Sequence, residues 1–362
     1  SSAMLASTAP SPATPASRAP GPGPRAVRAA LSLALLAPLA CDAGPKPPAA
    51  QPVAQQPATT AKPSPPTATA APKSTVTARP VTRLPAPRRL VALGDLHGDL
   101  EATRTALRLA GAIDPQDRWI GKDLVVVQTG DQLDRGDDER KILALLERLQ
   151  AEAAAAGGAV HVLNGNHELM NAAGDLRYVT AGGFLDFEDV PGVDLADPRA
   201  ARVPAPMRAR FLAFSPGGPY ARKLAERPVV LVIGETVFVH GGLLPQHVER
   251  GLDAINEEVK RWLRGEGEIS PDLLQDDDSP VWTRKQCIDP ARADCEQLRA
   301  TLSAIGAKRL VVGHTVHREG IVSGCDGAVW CIDVGMAAYY GGHPEALEIV
   351  GDQVRVLRES AM

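Results

Sequence analysis

The sequence predicts an α/β domain built on two β-sheets, preceded by a long segment that does not fold. Three observations carry this. Short apolar runs stop repeatedly in tips of Gly, Asp, Asn or His; strongly helical segments separate the first of these runs; and residues 42–87 hold almost no large apolar side chains. At 362 residues the chain is long enough to bury a substantial core. A formal charge of -4 and a pI near 6.1 leave no basic footprint for nucleic acid, and aromatics at 4% leave few platforms for base stacking.

From the N-terminus, Arg25 and Arg28 precede residues 29–40, a run of Leu and Ala that is too short to span a bilayer comfortably and has the shape of a secretory apolar region. Residues 1–41 therefore read as an export signal. Cys41 directly follows Leu39-Ala40, which resembles the acylation site of a bacterial lipoprotein, although Pro38 stands where an aliphatic residue is usual. The expectation is an exported protein, periplasmic or in the cell envelope, anchored to membrane through lipid on Cys41; cleavage near Ala40 without lipid is the alternative. Residues 42–87 are Pro, Ala, Thr and Gln, which cannot bury enough surface to offset ordering entropy and which favour extended conformers. They read as a tether for a domain at 88–362.

Besides Cys41 the chain has Cys287, Cys295, Cys325 and Cys331, an even number that suits an oxidising compartment. Close spacing favours the pairs Cys287 with Cys295 and Cys325 with Cys331 among three connectivities, with buried thiols as the alternative. Neither pair has the C-x-x-C spacing of a zinc site.

The first folded run ends in Gly94-Asp95-Leu96-His97-Gly98-Asp99. One Asp and one His in a turn are more often a helix cap and a satisfied histidine than a metal site. The pattern recurs, however, at 124–129 before Gly130-Asp131, at 160–163 before Asn164-Gly165-Asn166-His167-Glu168, at 237–239 before His240-Gly241-Gly242, and at 310–312 before Gly313-His314-Thr315. Five such tips are not five unrelated caps. Residues 100–110 and 140–156 have helical apolar spacing and end at Gly111 and at Gly157-Gly158, so strand, tip and helix alternate as βαβ units with their chemistry on one edge. In the final third, runs at 310–313, 321–323, 329–333, 347–350 and 354–357 predict a second sheet, mixed or antiparallel, packed against the first.

The residue types assign roles. Asp95, His97 and Asp131 offer oxygen and nitrogen ligands to one borderline divalent ion, and Asn166, His240 and His314 offer an amide oxygen and two imidazoles to a second. Asp131 can bridge both. Water held between two such ions loses a proton near neutral pH and can attack phosphorus directly. Arg135, in Asp134-Arg135-Gly136, has a fork suited to phosphoryl oxygens. His167 follows the ligand Asn166 too closely to join the same ion easily; its better role is general acid for the leaving oxygen, held in tautomer by Asp134. His161, His247, His317 and His343 need no chemical role.

Taken in order, Gly94-Asp95-Leu96-His97-Gly98, Gly130-Asp131-x-x-Asp134-Arg135-Gly136, Gly165-Asn166-His167-Glu168, His240-Gly241-Gly242 and Gly313-His314 resemble the calcineurin-like metallophosphoesterases, in the phosphoprotein phosphatase branch. The resemblance covers residues 88–357. Gly165-Asn166-His167-Glu168-Leu169-Met170-Asn171, Gly174-Asp175-Leu176-Arg177-Tyr178, Phe214-Ser215-Pro216-Gly217-Gly218-Pro219-Tyr220 and Ser279-Pro280-Val281-Trp282-Thr283-Arg284 are similar to the bacterial Shewanella-like protein phosphatases. This implies two β-sheets sandwiched between helices, Arg284 as a second phosphate clamp, manganese before iron or zinc, and a phosphorylated protein or peptide as substrate. Gln132-Leu133 departs from eukaryotic relatives, which leaves phosphotyrosine and phosphoserine or phosphothreonine both open; oligomeric state is open too. The alternatives are a hydrolase of dinucleoside polyphosphates or another small phosphoester, and an inactive tethered binding scaffold. Residues 171–228, too long for a simple connection, read as a small helical cap that shapes access to the metals.

Overall fold

The structure, a computed structural model, describes residues 82–359. The expected export signal and lipid anchor at Cys41, and most of the expected tether, lie outside the described residues. The strands are β1 (Arg83–Leu84), β2 (Leu90–Leu93), β3 (Val125–Gln128), β4 (Ala159–Val162), β5 (Val230–Ile233), β6 (Thr236–Val239), β7 (Arg309–Val312), β8 (Val322–Gly324), β9 (Val329–Cys331), β10 (Glu345–Val350) and β11 (Gln353–Arg358). The α-helices are α1 (Leu100–Leu109), α2 (Glu139–Ala155), α3 (Asn166–Ala172), α4 (Ala181–Leu185), α5 (Arg208–Phe214), α6 (Pro219–Leu224), α7 (Pro245–Arg250), α8 (Leu252–Leu263), α9 (Pro271–Leu274) and α10 (Cys295–Ala304).

Two mixed sheets result. One has the order β11-β10-β2-β3-β4, with β2, β3 and β4 parallel; the other has the order β1-β5-β6-β7-β9-β8, with β6, β7 and β9 parallel. Strand β2 is buried along its whole length, as parallel strands covered on both faces must be. In the second sheet burial is shared by alternation: Leu231, Phe238 and Val311 join the core of the first sheet, while Val230, Val232, Val237, Val239, Leu310 and Val312 pack with α8 and α10 on the other face. The layers are therefore helix, sheet, sheet, helix. Helix α1 starts on Asp99, whose carboxylate accepts from the Ala102 amide at 2.9 Å, and α2 buries Ile142, Leu146, Leu149 and Ala153 against the sheet.

Three expectations need correction. The fold takes in residues before Arg88, which read as tether in the sequence: Arg83 and Leu84 pair with Val232 and Ile233, and buried Thr82 accepts from the Val232 amide. Two residues flanked by Pro80 and Pro85 are too few to show a strand pattern. The last two strands, β10 and β11, do not enter the second sheet but extend the first, β10 lying antiparallel to β2. Finally the disulfides are Cys287–Cys331 and Cys295–Cys325, closing separations of 44 and 30 residues. Spacing favoured short loops, but Cys331 ends a central strand and meets the loop after Arg284, which no local pattern reveals.

Residues 171–228 carry α4, α5, α6 and two short 3-10 turns. Phe187, Ala213, Phe214 and Leu224 are buried in the second sheet's outer core.

Candidate metal centre

All five sequence tips leave the C-terminal ends of parallel strands: Asp95 and His97 after β2, Asp131 after β3, Asn166 after β4, His240 after β6 and His314 after β7. The sheets thus face their chemistry at one another. The loops are tied directly, the amides of Leu96 and His97 both donating to the Asp131 carbonyl at 2.9 and 3.0 Å. Glu168, fully buried, accepts from the amides of Asp131, Gln132, Leu133 and Gly165 at 2.7–3.2 Å, binding the second tip to the third. Five site residues, His97, Asp131, Asp134, Arg135 and His314, hold left-handed backbone conformations with φ between 43° and 71°. Such strain persists only where surrounding structure imposes it.

The ligand types converge. His97 Nε2 lies 3.7 Å from both Asp95 Oδ2 and Asp131 Oδ2, and His240 Nε2 lies 2.9 Å from Asn166 Oδ1 and 3.1 Å from Asp131 Oδ2. Asp131, His240 and His314 form one compact set of donor atoms, and His97, Asp131 and His167 form another, so Asp131 belongs to both. His97 and His240 each direct Nδ1 to a backbone carbonyl, of Leu133 and Thr129, and His314 directs Nε2 to that of Trp282, at 2.9–3.0 Å. Donating there leaves the other nitrogen bare and facing the cluster. For His240 this puts three acceptor atoms together with no proton between them, a contact that a cation resolves. Two divalent ions therefore fit these residues.

His167 differs in its second partner. Its Nε2 is 3.8 Å from Asp131 Oδ2, but its Nδ1 meets a carboxylate, Asp134 Oδ2, at 2.6 Å. Burial opposes the charged form of His167, yet Asp131 and the Asp134 hydrogen bond outweigh it and push the imidazole up to about 9; burial pushes His97 down to about 4 and His314 well below its ordinary range. A neutral imidazole suits a ligand and a protonated one suits an acid. Burial, Asp333 and Asp131 raise Asp95, whereas His240, His167 and His97 overcome burial and hold Asp131 low.

Arg135 makes no ion pair with Asp137 or Asp138. It lies between the rings of Tyr178 and Tyr339, 4.0 and 4.6 Å from their centroids, and donates to the Tyr339 hydroxyl at 2.9 Å. Its Nε is buried with no partner among the described residues. Arg284 is exposed at the rim and donates to the His314 carbonyl. A cavity of about 540 Å³ lined by His97, Asp99, Arg135, Thr180 and Tyr339 opens beside the cluster.

The calcineurin-like phosphoesterase family matches residues 88–318. The chain belongs to this family. It is similar to Shewanella-like protein phosphatase 2 of Arabidopsis thaliana, 43% identical over 313 residues that cover 78% of this chain and 80% of that one. Among solved structures it resembles a cold-active protein tyrosine phosphatase (TM-score 0.62, 23% identity, 76% of this chain and 77% of that one). It also resembles a protein serine/threonine phosphatase from Saccharomyces cerevisiae with similarity to human phosphatase PP5 (TM-score 0.53, 14% identity, 78% and 85%). Those two share the fold. As a member of the calcineurin-like phosphoesterases the chain is a hydrolase of phosphoester bonds, and its buried donor clusters are candidate divalent-metal ligands.

Several neighbours of this family site lie outside the residues expected from sequence. Asp333 follows β9, a sixth parallel strand tip; it is buried, and its Oδ2 has no hydrogen-bond partner among the described residues beyond its electrostatic contact with Asp95. Its signal was present, since Cys331-Ile332-Asp333-Val334-Gly335 repeats the pattern of apolar run, acid and Gly. Three of the chain's four tyrosines, Tyr178, Tyr339 and Tyr340, gather here, and the Tyr340 ring lies 5.2 Å from His97 with burial pushing its phenol up to about 12. Tyr178 closes the block 174–178 that carries the resemblance, but nothing in the local sequence marks Tyr339 and Tyr340.

Proposed function

We propose that this chain is a two-metal protein phosphatase that prefers phosphotyrosine, exported and held to membrane by lipid on Cys41. The observation that carries the preference is the aromatic sleeve around Arg135. Tyr178 and Tyr339 flank the guanidinium and the Tyr340 ring lies 5.2 Å from that of His97, so the aryl group of a phosphate ester bound at Arg135 would be bordered by aromatic side chains. The unpaired Arg135 Nε is a buried donor that a phosphoryl oxygen would satisfy. The names of the Arabidopsis protein phosphatase relative and of the cold-active tyrosine phosphatase support the same reading.

Asp95, His97 and Asp131 would hold one divalent ion, and Asp131, Asn166, His240 and His314 the other. When bound, such a pair acidifies water and neutralises phosphoryl charge. Arg135 and Arg284 would orient the phosphoryl oxygens, which fixes the ester for direct displacement. His167, its Nδ1 held by Asp134, donates from Nε2 to the leaving oxygen. Manganese suits the mixed oxygen and nitrogen donors, as iron and zinc also do. Two disulfides fit an oxidising compartment and so support export.

The test is phosphate release by the purified protein, with manganese added or chelated, from phosphotyrosine peptides, phosphoserine peptides and diadenosine tetraphosphate. Metal-dependent turnover with the highest kcat/KM on phosphotyrosine is expected. Faster turnover of phosphoserine overturns the preference, and turnover of the dinucleotide alone overturns the protein phosphatase reading. For the anchor, incorporation of labelled palmitate in cells should disappear in Cys41→Ser; label retained by that variant, or absent from the parent, rejects lipidation.

A further inference from the structure

Arg210, on α5 in the inserted segment, is fully buried, and every donor of its guanidinium is used. Its Nε donates to Asn171 Oδ1 at 2.9 Å; one terminal nitrogen donates to Glu139 Oε2 and to the Gly183 carbonyl; the other donates to Glu139 Oε1 at 2.8 Å and to Asp134 Oδ1 at 3.2 Å. The rings of Phe187 and Phe214 close over it with centroids at 4.8 and 5.2 Å. Five donors meeting five acceptors is the full capacity of an arginine.

The distribution of these bonds matters more than their number. Glu139 already neutralises Arg210 through both oxygens, which would suffice to bury the charge. Of the three remaining donors one reaches the Gly183 carbonyl and the other two reach Asp134 and Asn171, which both touch His167: Asp134 Oδ2 bonds its Nδ1, and Asn171 donates to its carbonyl at 2.9 Å. Asn171 also donates to Asp134 Oδ1 at 3.0 Å, so that oxygen receives two donors from one side while Oδ2 faces the imidazole. The Glu139 carboxylate in turn accepts from the Asp134 amide, fixing the backbone from which the carboxylate projects.

We propose that Arg210 is the positioning residue of the Asp134–His167 pair. The α5 guanidinium locks the Asp134 carboxylate in the orientation that aims His167 at the leaving oxygen, so the segment 171–228 is part of the catalytic apparatus rather than only a wall beside it. This rests on the phosphoester hydrolysis described above. Glu139 cancels the arginine's charge, leaving the charge of Asp134 for His167. Because Arg210 bonds Asp134 and none of the metal ligands, its loss affects leaving-group protonation and spares metal binding.

The experiment compares phenyl phosphate, a poor leaving group that needs an acid, with p-nitrophenyl phosphate, a good one that hardly does. Arg210→Gln is the direct variant. Since it leaves Glu139 buried without its partner and can unfold the chain, the double variant Arg210→Gln with Glu139→Gln is made beside it. That pair removes both charges, and the carboxamide introduced by Glu139→Gln keeps an oxygen to accept from the Asp134 amide. In the full chain, kcat on phenyl phosphate should fall about 10²-fold and kcat on p-nitrophenyl phosphate less than about 10-fold, with KM within about 3-fold and manganese content unchanged. An equal fall on both substrates, loss of manganese, or wild-type kinetics in a folded variant overturns the positioning role. Failure of the parent chain to hydrolyse either ester with manganese would instead overturn the hydrolase reading, and this inference with it.

Discussion

Asp131 carries more of the site than any other side chain, since it lies within 4 Å of His97, His167 and His240 and belongs to both donor sets. Asp131→Asn should therefore lower metal content from two ions per chain to one or none and nearly abolish turnover; a variant that kept two ions would show that Asp131 is no bridge. His167→Asn should do the opposite, keeping both ions while kcat falls by roughly 10²–10⁴ with poor leaving groups, the usual contribution of a general acid. Metal analysis beside kinetics separates the two. The ligand types were legible in sequence because each sits directly after an apolar run, where a strand must end and its tip must face a crevice. Tyr339 and Arg210 were not, because each acts across the chain: Tyr339 meets Arg135 over 204 positions and Arg210 meets Asp134 over 76. No local periodicity encodes such distances.

At the level of strands and loops, the tips work because their backbones approach more closely than a side chain would allow. A Cβ on Gly165 would overlap Asp131 Oδ1, and one on Gly313 would overlap Asp95 Oδ1. Gly313→Ala should thus displace Asp95 and weaken binding of one ion at least 10-fold by calorimetric titration, a loss of about 1.4 kcal/mol; unchanged affinity would mean that the β7 tip can yield. The Cys287–Cys331 bond ties β9 to the loop that begins at Arg284, whose carbonyl accepts from the Cys287 amide at 3.0 Å. Replacing both cysteines by Ala should cost about 2–4 kcal/mol in denaturant unfolding. It should also raise KM more than it lowers kcat, because Arg284 loses its anchorage while the ligands do not. Helix ends and parallel strands were readable from Gly and from apolar runs, but the disulfide partners and the sheet joined by β10 and β11 depend on topology, which local spacing does not contain.

Across the whole molecule, two sheets bring Asp95, Asp131 and Asp333 together in one buried place, and without cations their repulsion opposes the fold. Burial raises Asp333, and burial with the neighbouring carboxylates Asp333 and Asp131 raises Asp95 well above the ordinary 3.8. A carboxyl raised on folding stabilises the native state fully below its unfolded value, and that stability is lost as pH rises through the folded value. Chelated protein should therefore lose stability at these groups as pH rises above about 4, whereas Asp333→Asn, which cannot ionise, should lose less. In chelator the two should unfold alike near pH 4, with the variant more stable by roughly 1–3 kcal/mol at pH 7, the scale of one unpaired buried polar group. With manganese the gap should close, because free metal at one hundred times Kd adds about 2.7 kcal/mol per site and its charge offsets the repulsion among the carboxylates. A wild-type chain more stable than Asp333→Asn in chelator at pH 7 would mean that the acidic cluster is satisfied without a cation.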